Sequence, residues 1–179
     1  MGFATESSSG RSIWMSIQTI MTKNVVCVRA TSKVREAWLL LMETGISGAP
    51  VVDDQANLVG LLSNTDIYKS IVDRFQKAQS LRELTTQSSD PQLVEKEELR
   101  ELSLAVRGVL ESTVASILPP NQKVLSVGSG DSIERALHLM AEHNINRLPV
   151  LKDDKVVGIV TRQDIIWLVA GRPSKQHEE

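Results

Sequence analysis

The chain reads as α+β: two βαββα repeats packed as one pair, with an additional helix between them. Three observations lead there. GLLSNTDI, Gly60 to Ile67, returns later as GIVTRQDI, Gly158 to Ile165. Laying Val124–Val169 on Val25–Ile71 aligns two whole copies, with one extra residue in the first near Ala56 and Asn57. Between the copies, Asp90–Val114 carries apolar residues at helical rather than strand spacing.

The elements follow in order. Residues 1–15, small and polar through most of their length, are expected to be a disordered extension or a tag remnant, since MGFATESSSGRSIW has no apolar core of signal-peptide length. The first repeat is placed at 16–75. VVCV, Val25–Val28, and its counterpart VLSV, Val124–Val127, are short runs that read as strands. Helices follow, with Val34, Ala37, Trp38 and Leu41 on one face in the first copy and Ile133, Ala136, Leu137 and Met140 in the second. Asp131 and Glu134 have the spacing of a capping box at the second helix's start. GAPVVDDQANLVGLLS and RLPVLKDDKVVGIVT each predict two strands joined by an acidic turn, and IYKSIVDRF and IIWLVAGR each predict a last helix. The inter-repeat segment, 76–112, holds a polar loop, Thr85–Asp90. A helix follows with Leu99, Leu102, Val106, Val109 and Leu110 on its apolar face and a Glu-rich first turn. It is expected to cover the pair or, alternatively, to act as a dimer contact or a lever to a partner. The second repeat spans 113–171, and 172–179 are expected to be a disordered tail. Each copy alone exposes too much apolar surface, so pairing is expected to bury it.

Composition narrows the function classes. With 179 residues, 41% of them hydrophobic, the chain can fill a sizeable core. A net charge of −2 and no block of Lys and Arg give no footprint for nucleic acid or an anionic membrane, and no segment approaches a bilayer span. One cysteine, Cys27, excludes an intrachain disulfide; it reads as a buried thiol in a reducing cytoplasm. His138, His143 and His177 lack partners at metal-ligand spacing, and no GxSxG, P-loop or GxGxxG occurs. GSG, Gly128–Gly130, lies in a turn. Trp38 and Trp167 fit core or subunit-contact positions better than stacking platforms. Nothing here supplies a catalytic constellation.

IQTIMTKNVVCV, GISGAPVVDDQANLVGLLSNTDI and HNINRLPVLKDDKVVGIVTRQDI resemble the signature segments of the tandem cystathionine-β-synthase (CBS) domain pair, or Bateman module. The resemblance runs from about Ile17 to Val169, broken by the long inter-repeat segment. It implies a pseudo-twofold pair enclosing two clefts that take adenosine-containing ligands: AMP, ADP, ATP, S-adenosylmethionine or dinucleotides. In such modules the Ser/Thr and Asp of one copy face the first strand of the other. The resemblance therefore gathers Thr161, Gln163 and Asp164 with Thr22, Val26, Ile46, Ser47, Asn146 and Arg147 in one cleft. It gathers Ser63, Thr65 and Asp66 with Leu125 and Ile145 in the second.

The residue chemistry fits. Ribose offers two adjacent hydroxyl donors, and an ionised Asp has two oxygens to take them. Ser63 and Thr161 stand where a hydroxyl meets phosphate or ribose, and the helix starts behind them favour an anion. The same Asp, Ser and Thr are also good N-caps, worth about 1 kcal/mol, and the two roles coexist. Arg147 adds charge where copy one has Gly48, with Lys23 and Arg162 as further cations; Gln163 replaces a hydroxyl that copy one keeps at Thr65. Pro119 and Pro120 remove donors near the second cleft, so the Asp164 cleft is the favoured site. The leading expectation is a regulatory adenine-nucleotide sensor, with no catalytic cofactor, that acts on an unidentified effector protein. The alternative is a dimerisation or docking module with empty clefts; an enzyme is the least supported. A homodimer through helices 34–42 and 133–141 is expected.

Overall fold

The computed structural model describes residues 15–85, 91–119 and 122–171; the expectations for residues 1–14, the loop at 86–90, Pro120 and the tail lie outside them. The element order is β1 (Val28–Arg29), α1 (Val34–Glu43), β2 (Gly48–Val52), β3 (Leu58–Ser63), α2 (Asn64–Thr85), α3 (Pro91–Leu110), α4 (Val114–Ile117), β4 (Val127–Gly128), α5 (Ile133–Glu142), β5 (Arg147–Lys152), β6 (Lys155–Thr161) and α6 (Arg162–Val169). Two three-stranded sheets result, ordered β1-β2-β3 and β4-β5-β6, each with a parallel first pair and an antiparallel hairpin.

The first strands are shorter than VVCV and VLSV suggest. Pairing begins only at Val28↔Val51 and Val127↔Val150. Residues 25–27 join no ladder: opposite them Pro50 has no N–H to offer, and Ser47 and Gly48 border an open cavity. The hairpin turns differ as the one-residue insertion requires. Asp153 and Asp154 both take positive φ (51° and 61°) in a two-residue turn between Lys152 and Lys155, whereas Asp53 gathers the N–H groups of Gln55 and Asn57 and the extra residue, Ala56, sits at φ 62°. The α5 cap also shifts by one residue. Ser132 accepts from the Arg135 N–H, while Asp131 turns back to accept the Gly128 N–H at 2.8 Å.

Two cores hold the pair, and each borrows from the other repeat. Ile17, Ile20 and Met21, which precede the first repeat's strands, are buried in the second core with Ala136, Met140 and Val160. Val114, Ile117 and Leu118 precede the second repeat's strands and pack into the first core with Val34, Ala37 and Leu41. Main-chain bonds fix both crossings: the Ile17 N–H donates to Asp131 O at 2.9 Å, and the Val34 N–H to Ser112 O at 2.9 Å. Neither repeat therefore completes a core by itself. Leu137, expected on the buried face of α5, is half exposed, and Leu139 packs in its place. Helix α2 runs well past IYKSIVDRF, to Thr85, and pairs with α3 through Arg82–Glu98 and Arg82–Glu101 ion pairs. On α3, Val109 is buried as expected, but Leu99 and Leu102 are exposed.

Candidate functional site

The β6–α6 junction shows why the second motif has its form. Thr161 leaves β6 in extended geometry and caps α6: its Oγ1 accepts the Asp164 N–H at 3.3 Å. Asp164 answers through one oxygen, Oδ2, which accepts the Thr161 N–H at 2.8 Å and the Thr161 O–H at 2.7 Å. Ser63 and Asp66 repeat this arrangement at 2.8 and 2.6 Å in the first copy. Both acids are thus caps, and both hydroxyl protons are already committed to a carboxylate rather than to a ligand. Oδ1 of Asp164 makes no hydrogen bond with the described residues, and its residue is 93% removed from solvent by relative area, 7% exposed, at the wall of a cavity.

That cavity, about 490 Å³, lies between the repeats, within the usual range of small-molecule sites. All nine residues placed in the Asp164 cleft line it: Thr22, Val26, Ile46, Ser47, Asn146, Arg147, Thr161, Gln163 and Asp164. Val25, Val26, Ile46, Pro50 and Ile159 supply apolar wall. Thr22 holds its place by its main chain, which exchanges two bonds with Ile159 at 2.8 and 3.0 Å. Trp167, partly buried, also lines the cavity, one turn beyond Asp164 on α6. Its i, i+3 spacing from the acid was the available signal.

Arg147 is more than a free cation. It reaches across to the other repeat, donating from Nη1 to Gly48 O at 2.7 Å and from Nη2 to Ser47 Oγ at 2.5 Å. Burial draws its pKa downward, and the guanidinium remains charged. Gly48, its own counterpart in the repeat, makes the approach feasible: a Cβ there would meet Leu62 O at 2.6 Å and Arg147 Nη1 at 3.0 Å. Arg162 lines the cavity too, with its guanidinium held by Met140 O at 3.0 Å and Asn144 Oδ1 at 3.3 Å. Lys23 is exposed and is not among the cavity's lining residues.

Of the residues the resemblance gathers in a second cleft, Ser63 and Asp66 are joined by their box, Thr65 is exposed, and Leu125 and Ile145 pack against the second core; none of the five lines the Asp164 cavity. Where Thr22 uses its backbone against Ile159, the Gln122 side-chain amide takes over, accepting the Leu61 N–H at 3.0 Å and donating to Leu61 O at 3.3 Å. Cys27 is half-buried and its pKa is raised by desolvation, so it stays a thiol. Among the described residues no group of three or more His, Cys, Asp or Glu is placed to hold a metal, and no helix is long and apolar enough to cross a membrane.

Two repeats that exchange core segments and enclose a cavity lined from both sides define a paired-repeat module. The chain belongs to the CBS-domain family, whose model matches residues 17–73 and 114–171. It is 31% identical over 153 residues to the uncharacterized protein MJ1426 of Methanocaldococcus jannaschii, covering 85% of this chain and 89% of that one. Its fold matches CBSX2 solved in complex with AMP (TM-score 0.61, 24% identity, 87% of this chain and 96% of that chain). It also matches the CBS domain pair of MJ0100 solved with 5′-methylthioadenosine and S-adenosyl-L-methionine (TM-score 0.62, 22% identity, 88% and 97%).

Proposed function

We propose that the chain is a regulatory module that senses an adenosine nucleotide in the Asp164 cavity and passes its occupancy to an effector protein. The observation that carries this reading is the cavity's mixed wall. An apolar slot from Val26, Ile46 and Ile159 stands beside a buried carboxylate with one uncommitted oxygen and two arginines. The slot suits adenine, Asp164 Oδ1 suits a ribose diol, and Arg147 with Arg162 and the N-terminal end of α6 suit a phosphate. Two cations in the wall favour AMP, ADP or ATP over the cationic sulfonium of S-adenosylmethionine. The solved relatives with AMP and with S-adenosylmethionine support the same ligand class.

The switch follows from Arg147. Its bonds to Ser47 and Gly48 tie the repeats together, and a phosphate that takes the guanidinium competes with them. Ligand then exchanges one set of cross-repeat bonds for another, which is the differential interaction a two-state response requires. The same bonds favour a second reading, in which the arginine braces a purely structural pair. A thermal-shift panel of AMP, ADP, ATP, S-adenosylmethionine and adenosine separates them. The sensor reading expects stabilisation of about 2.7 kcal/mol at a hundredfold excess over Kd, roughly 5–10 °C in a chain of this size. No shift with any of the five at millimolar concentration leaves the structural reading.

A further inference from the structure

Helix α3 leaves part of its apolar row outside the core. Ala105 and Val109 are buried, whereas Leu99, Leu102, Val106 and Leu110 line an open groove of about 570 Å³ that ends at Arg35 of α1 and Arg107. Leu99 is 69% exposed and Leu102 39%. Their i, i+3, i+7, i+11 spacing makes a stripe of about 17 Å, or three turns, the contact length of a short amphipathic helix laid in a groove.

Charge selects the occupant. The groove's lining includes two arginines and no carboxylate. At its end Lys33, Arg35 and Arg107 surround one acid, Glu111, with Lys33 at 2.7 Å and Arg35 at 2.5 Å. Lys96, Arg100 and Arg107 fall at i, i+4 and i+11, along a single edge of the stripe that also carries Glu111 at i+15. We infer that the groove between α1 and α3 is a docking site for an amphipathic helix of another protein, one whose apolar row is flanked by acidic residues. The inference goes beyond the nucleotide reading and holds whatever fills the cavity.

The test uses the full chain without nucleotide, so its outcome is separate from that of the cavity. The probes are two fluorescein-labelled helical peptides with leucines at i, i+3 and i+7, one flanked by glutamates and the other by lysines. Fluorescence anisotropy is expected to show the glutamate peptide binding at least about tenfold more tightly. Leu99→Asp, at the most exposed position, is expected to weaken it by a similar factor while the far-ultraviolet spectrum and melting curve stay unchanged. The double variant Arg35→Glu/Arg107→Glu is expected to reverse the preference toward the lysine peptide. Equal binding of the two peptides, binding of neither, or indifference to both variants overturns the proposal. A wild-type mass of two chains by light scattering that falls to one in Leu99→Asp also overturns it, by giving the groove to a second copy.

Discussion

At Asp164 the two carboxylate oxygens have separate tasks. Oδ2 closes the Thr161 box, and Oδ1 is the atom left for a ribose hydroxyl. Asp66 makes the same box in the first copy, which provides an internal control. Asp164→Ala and Asp66→Ala are each expected to lower stability by about 1 kcal/mol, the value of a lost cap, measured by urea unfolding. Costs that differ by several kcal/mol would show that the boxes are not equivalent. Arg147 admits a sharper prediction, since it addresses phosphate and not adenosine. Arg147→Ala should weaken AMP by about tenfold or more and leave adenosine unchanged, a difference calorimetry reads directly. Equal losses for both would assign Arg147 to bracing alone. The sequence contained both acids, because a repeated hydroxyl and acid around a strand end is visible without coordinates. It did not show that the hydroxyl proton is spent on the carboxylate, nor that Arg147 crosses to Gly48; both depend on how the two repeats sit against each other.

Among the elements, helices were legible from their apolar faces and strands only in part. The spacing that placed α1 on Val34, Ala37 and Leu41 is local, and the buried face agrees. VVCV is locally as good a strand, yet only Val28 and Arg29 pair, since a ladder needs a partner and Pro50 and the cavity deny it one. Leu137 misled for a related reason: periodicity finds a stripe but does not fix its edge. The junction of α1 with the end of α3 also carries a pH signature. A hydrogen bond from Lys33, reinforced by Arg35 and Arg107, holds the Glu111 carboxyl below its ordinary 4.5. A depressed folded value means that the unfolded chain binds the proton more readily. The contribution is thus complete above about pH 5 and is lost as pH falls through the folded value. Glu111→Gln is expected to make the acid limb of the Tm–pH curve shallower, with a small effect near neutrality because the pair is exposed. An unchanged acid limb would remove Glu111 from the account.

Over the whole molecule the exchanged segments matter most. Ile17, with Ile20 and Met21, is buried in a core otherwise built from the second repeat, and Val114 in a core built from the first repeat and Val109 of α3. Ile17→Ala should therefore cost about 2–5 kcal/mol and, by calorimetry, lower a single transition of the whole chain. Two separate transitions would mean independently folding repeats. Leu39, Met42 and Leu137 leave apolar surface on α1 and α5, which supports the proposed homodimer through these helices; Met42→Asp with Leu137→Asp should then halve the mass seen by light scattering. Isothermal titration calorimetry with AMP tests nucleotide binding in the Asp164 cavity most directly. One site per chain, lost in Asp164→Ala and retained in Asp66→Ala, is the predicted result. AMP binding that survives Asp164→Ala undiminished, or no binding by the wild-type chain, would contradict it.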